Sequence, residues 1–120
     1  MFYSDLMTTS IKNKRSINYY KSNFDLSKSY KFSVQAETLK NILKRARAPK
    51  KIDFFSLDVE GLEMNVLKGI DFKKNYFNYI LIETYKFEKV RKFLNNKNYH
   101  FLKKLSVHDY LFKINKNKII

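Results

Sequence analysis

The stretch "IDFFSLDVEGLEMNVLKGIDF", residues 52–72, decides how the rest of the chain is read. It opens as an apolar run, turns acidic at "DVEGLE", and continues as a short amphipathic segment that stops at glycine. "KIDFFSLDV" has the nearly unbroken apolar character of a strand buried on both faces of a parallel sheet. In "GLEMNVLKG", Leu62 and Val66 share a helical face with Leu67 nearby, and Gly69 stands where a helix is capped. A strand leading through an acidic turn into a helix is the first half of a βαβ unit.

The flanking sequence continues the alternation. Upstream, Tyr30, Phe32 and Val34 alternate with polar residues as in a half-buried strand. "AETLKNILKRARAP" then places Leu39, Ile42, Leu43 and Ala46 at helical spacing and stops at Pro49. Downstream, "FNYILIETY" is a second buried strand, and "KFEKVRKFLNNKN" carries Phe87, Val90 and Leu94 on one helical face. "YHFLKKLSV" and "DYLFKI" are two strands joined tightly near Val107, His108 and Asp109, hence antiparallel. The pattern predicts strands at 52–58 and 78–84 paired side by side and parallel. It also predicts helices at 37–47 and 86–97 and a terminal hairpin. The expected class is α/β, a mostly parallel sheet closed by a C-terminal antiparallel hairpin. Residues 1–29, including "INYY", read as a polar, poorly structured lead-in, and 30–120 as the folded portion.

Composition bounds the function. The 120 residues, at 14.5 kDa, allow a single modest domain. Cysteine is absent, which excludes a disulfide framework, a thiolate zinc site and a cysteine nucleophile. The formal charge of +14 raises the alternative of a basic module for nucleic acid or another polyanion. Yet the lysines are dispersed, and the abundant Lys, Asn, Ile, Phe and Tyr are all encoded by A/T-rich codons. A solvated basic surface is therefore the favoured reading. Tyr19, Tyr20, Tyr30 and Tyr85 follow no RNA-recognition signature and are read as core or surface aromatics. No signal peptide and no run of eighteen apolar residues is visible, which predicts a soluble cytoplasmic protein without a transmembrane segment.

Why should a basic chain gather acids at the exit of its most strand-like segment? Ligands of open α/β sheets bind beyond the carboxyl ends of the parallel strands. Asp58 closes one predicted strand and Glu83 the next, so neighbouring strands would bring both to that edge. Glu60 and Gly61 form the strand-to-helix turn, where glycine lets backbone approach a ligand. For Glu63 the favoured role is structural, at the positive end of the short helix. A divalent metal such as Mg²⁺, Mn²⁺ or Ca²⁺ would suit these oxygens. His108 lies beside Asp109; the favoured reading is a local hydrogen-bonding pair in the turn, and the alternative is a catalytic imidazole oriented by its carboxylate neighbour. His100, between Tyr99 and Phe101, reads as structural, and Ser56 lacks the glycine-flanked elbow of a hydrolase nucleophile.

Taken together, "IDFFSLDVEGLEMNVLKGIDF", "YILIET", "KLSVHDYLF" and "VQAETLKNIL" resemble the FkbM family of S-adenosylmethionine-dependent methyltransferases, over about residues 30 to 114. The Asp-Val-Glu-Gly core with its downstream Leu-Lys-Gly carries most of the likeness. The resemblance implies a partial class I, Rossmann-like methyltransferase sheet and O-methylation of a sugar or other hydroxyl-bearing small molecule or glycan. It implies Asp58, Glu60 and His108 as catalytic candidates, and Asp58, Gly61 and Glu83 beside the S-adenosylmethionine cofactor. One departure matters. Such enzymes hold the cofactor on a glycine-rich turn, and this chain has only Gly61 and Gly69. The expectation is therefore the C-terminal half of such a domain, a fragment, a split product or an inactive remnant, unable to bind the cofactor or act alone. In the strand order that the resemblance implies, 52–58 becomes an edge, open to self-association or to a partner chain.

Overall fold

A computed structural model of the chain describes residues 2–4, 7–9, 18 and 30–116. The remainder of the lead-in, with Tyr19 and Tyr20, lies outside the described residues. Three short strands, β1 (Phe2–Ser4), β2 (Met7–Thr9) and β3 (Tyr30–Lys31), form an antiparallel sheet in the order β2-β1-β3. The strand expected from Tyr30 onward is therefore cut to two residues, and it pairs with β1 instead of the main sheet. Residues 32–38 are exposed and without regular structure, and Val34 is 52% exposed. Alternation holds a strand only where a hydrophobic layer receives the apolar side, and here none buries Val34.

The main sheet contains β4 (Lys51–Leu57), β5 (Tyr76–Glu83), β6 (Tyr99–Lys104) and β7 (Asp109–Ile114), in the order β4-β5-β7-β6. β4 and β5 pair in parallel, from Lys51 opposite Tyr76 to Leu57 opposite Ile82. β7 pairs antiparallel with both β5 and β6. The sheet is thus mixed, with one parallel and two antiparallel pairings, where a mostly parallel one was expected. The cause is the short turn at 105–108, which forces β7 to reverse, after which β7 inserts between β5 and β6.

Helices α1 (Leu39–Arg45), α2 (Glu63–Lys68) and α3 (Phe87–Asn95) fall inside the expected segments. Thr38 caps α1 in the extended conformation, its hydroxyl oxygen accepting from the Asn41 N–H at 3.4 Å. The Lys40 N–H donates to the Gly69 carbonyl at 2.8 Å and ties α1 to the end of α2. Gly69 has an ordinary φ of −83°, so its glycine is needed for space. An added Cβ would sit 3.3 Å from the Val66 carbonyl oxygen and 3.4 Å from the Thr38 side chain.

One core forms between the helices and one face of the main sheet. Leu67 of α2 and Val90 and Leu94 of α3 are fully buried against Ile80, Ile82 and Phe112. Tyr99 is buried as well, and its hydroxyl oxygen accepts the Phe77 N–H at 2.9 Å. The expectation that β4 is buried on both faces is not met: only Leu57 is buried, and Phe54 is 53% exposed. Burial alternation also slips by one residue in both strands at matching register. In β4, Ile52 is followed by Phe55 and Leu57; in β5, Phe77 is followed by Ile80 and Ile82. At the slip the Asn78 side chain donates to the Asp53 carboxylate at 3.0 Å, and the Phe55 and Phe77 rings stack with centroids 4.8 Å apart. The paired slip preserves register while keeping both aromatic rings on the core side.

Candidate functional site at the carboxyl edge

The acidic turn forms because β4 must reverse into α2 within a few residues. Glu60 (φ 51°) and Gly61 (φ 94°) are both left-handed, and the Leu62 N–H closes the turn on the Val59 carbonyl at 3.3 Å. Two consecutive left-handed residues make a tight turn, and a non-glycine residue in that region is uncommon. Glu63, the first residue of α2, is only 3% exposed. Its Oε1 accepts from the Gly61 N–H at 2.7 Å, and its Oε2 from the Thr84 hydroxyl at 3.3 Å. Thr84, 1% exposed, also accepts the Lys86 N–H at 3.1 Å. Glu63 thus fastens the acidic turn to the end of β5. Its expected helix-end position is correct, but sequence reading missed this bridge, together with Thr84. The available signal was the pairing of a helix-start glutamate with a Thr directly after the next strand.

Asp58 leaves β4 exposed, and Glu83 ends β5 beside it. Glu83 lies close enough to Asp58 to feel its charge, and it stands directly opposite Asp109 of β7. Burial, then the charge of Asp58, then that of Asp109 push the Glu83 carboxyl above its ordinary range. Burial, followed by Asp58 and Glu63, does the same to Glu60.

His108 reaches the same edge from the β6–β7 turn. Its backbone carbonyl accepts the Thr84 N–H at 2.9 Å, and its ring lies 4.1 Å from the Tyr85 ring. The Asp109 carboxylate is instead hydrogen-bonded by the Ser106 hydroxyl. The contacts of the neighbouring His108 and Asp109 side chains thus lie apart. His100 is exposed on β6, where its Nδ1 meets the Asn115 side chain, a structural contact.

The edge therefore gathers Asp58, Glu60, Gly61, Glu83 and His108, the residues singled out from sequence, and adds Glu63, Thr84 and Asp109. Chemically it can accept hydrogen bonds from hydroxyl or ammonium groups, and Glu83 and Glu60 hold their protons more tightly than free carboxyls do. Among the described residues, no group of three or more His, Cys, Asp or Glu side chains is placed to hold a metal ion. Among the same residues, no helix is long and apolar enough to cross a membrane.

One βαβ unit in a mixed four-stranded sheet, with polar groups gathered beyond the carboxyl ends of its two parallel strands, defines a mixed α/β domain. The family model for the methyltransferase FkbM domain matches residues 6–101, and the chain belongs to that methyltransferase family. The match begins within the lead-in, earlier than the likeness seen in the motifs, and ends before β7. No curated protein and no solved structure matches the chain.

Proposed function

We propose that the carboxyl edge is the acceptor side of an O-methyltransferase site that uses S-adenosylmethionine and acts on a sugar or other hydroxyl-bearing small molecule. The observation that carries this reading is the meeting of Asp58 and Glu83 at the ends of two adjacent parallel strands, with Glu60 nearby and His108 on the adjoining turn. Asp58 positions the acceptor hydroxyl by accepting its hydrogen bond, and Glu60 supports it. His108, resting on Tyr85, is the base that takes the hydroxyl proton. S-adenosylmethionine, when bound, supplies the methyl group. Of its parts, the ammonium and ribose hydroxyls suit Asp58 and Glu83, and Gly61 lets backbone approach. The donor's own carboxylate would be repelled by the acids of this edge and would need another half-site to hold it. A neighbouring strand, from a partner chain or another stretch of protein, would supply that half.

Two titrations test this reading. Amide shift mapping with a panel of simple sugars is expected to move residues 58–61, 83–85 and 106–109, and Asp58→Asn to abolish the response. Shifts confined to other surfaces would remove the acceptor assignment. Calorimetry with S-adenosylmethionine is expected to show no saturable binding by the chain alone, because the remaining contacts must offset the full cost of association. Saturation at micromolar ligand would place the donor wholly within this chain.

A further inference from the structure

The opposite end of the sheet holds a cavity that the acceptor-side reading does not use. A cavity of about 570 Å³ opens where α1 begins, α2 ends and α3 turns into β6. Small-molecule sites commonly occupy about 300–1,000 Å³, so this one has the right size. Four lysines line it, Lys40, Lys68, Lys73 and Lys97, against a single acid, Asp71. That acid is already engaged: Oδ2 lies 3.8 Å from the Lys40 ammonium, and Oδ1 accepts the Lys73 backbone N–H at 3.2 Å. Among the described residues, Lys68, Lys73 and Lys97 have no carboxylate within 4.0 Å.

The lining is more ordered than a scatter of surface lysines. The Lys97 ammonium sits 5.9 Å from the centre of the Phe72 ring and 5.7 Å from that of Phe93. Those rings hold the cation in place without neutralising it. The Thr38 oxygen accepts from the Asn41 N–H, which leaves its hydroxyl proton available to a ligand. The side chains of Asn96 and Asn98 add neutral donors. Three uncompensated ammonium groups with hydroxyl and amide donors call for a ligand of at least two negative charges and several acceptor oxygens. A phosphoryl group satisfies both demands, whereas a single carboxylate satisfies neither. The concavity and the Phe72 wall suit a compact molecule; an extended nucleic-acid backbone would need a basic track.

We infer that this cavity at the amino end of the sheet binds a phosphate-bearing small molecule, free or esterified, through Lys68, Lys73 and Lys97. The site lies across the sheet from the acidic edge and stands or falls apart from the acceptor reading. Calorimetry at about 0.15 M salt, where surface electrostatics are screened, tests it with inorganic phosphate, pyrophosphate and ribose 5-phosphate. Saturable binding near one equivalent is expected. The double variant Lys68→Gln/Lys73→Gln should weaken it by about tenfold or more, or roughly 1.4 kcal/mol. Lys103→Gln/Lys104→Gln removes the same charge from exposed positions on β6 and should leave the affinity within about twofold. Tighter binding of the ester than of the inorganic ions would identify an ester ligand, and equal binding the free anion; both support the site. Absence of saturation, or equal losses in the two double variants, overturns it. Shift mapping on the unaltered chain gives an independent readout: responses at residues 38–40, 68–73 and 96–98 support the cavity, and responses spread over the lysine surface refute it.

Discussion

Glu63 shows how one side chain organises the acidic turn. Its buried carboxylate satisfies the Gly61 N–H and the Thr84 hydroxyl, so Glu63→Ala orphans both. Leaving such groups unpaired costs about 1–3 kcal/mol, and urea unfolding should show a loss of that size. Thr84→Val removes the hydroxyl that donates to Glu63 and accepts the Lys86 N–H, and a loss of about 1 kcal/mol is expected. Tyr99 provides a parallel case within the core. Burial pushes its hydroxyl up to about 12, so it stays neutral and keeps accepting from Phe77. Tyr99→Phe strands that buried N–H and should destabilise by about 1–3 kcal/mol. Glu83 makes a pH prediction. Its folded-state proton affinity is raised above the ordinary value of 4.5, so the folded form binds the proton more tightly than the unfolded chain does. The stability it contributes is complete below that value and is lost as pH rises through the raised value. Glu83→Gln should therefore flatten the fall in stability above about pH 4.5 seen in urea midpoints, leaving the acid limb below it little changed. An identical slope in both proteins would show that the fold does not raise the proton affinity of Glu83.

At the scale of elements, β4 is the strand most exposed to consequence. Among the described residues it is an edge strand paired with β5 alone, and Phe54 presents an exposed ring. Edge strands with free N–H and C=O groups template pairing with other chains. Concentration-dependent sedimentation is expected for the isolated chain, and Phe54→Lys should suppress it without lowering thermal stability, because that side chain packs on little. A chain that sediments as a monomer at all concentrations would show the edge to be protected. α3 offers the contrast, since Leu94 is fully buried against the sheet. Leu94→Ala should cost about 2–5 kcal/mol, a large share of the stability of a domain this small. The amphipathic period of α3 was plain in its residues, and both its existence and its buried face follow from that spacing. The short strand β3 was not legible in the same way. Tyr30, Phe32 and Val34 have the right alternation, yet no layer covers Val34 and the strand ends at Lys31.

Across the whole molecule, charge is segregated along the sheet. Asp58, Glu60, Glu83 and Asp109 collect at the carboxyl end, while Lys40, Lys68, Lys73 and Lys97 ring the cavity at the amino end. The net charge of +14 means that most of the surface repels itself. Raising salt from about 0.01 M to about 0.2 M should therefore raise the melting temperature, since screening relieves that repulsion more than it weakens the few exposed ion pairs. What the sequence determined alone was local and periodic: helices from apolar spacing, the β4–turn–α2 passage from "IDFFSLDVEGLE", and family membership from Asp-Val-Glu-Gly with Leu-Lys-Gly. Tertiary structure decided the insertion of β7 between β5 and β6, the matched slip in β4 and β5, and the burial of Glu63. It also decided which carboxylate meets which neighbour. Those features depend on contacts between residues far apart in the chain, such as Glu63 with Thr84, 21 positions on. A residue's spacing can report the face it occupies, but burial and proton affinity are set by whatever the fold places against that face.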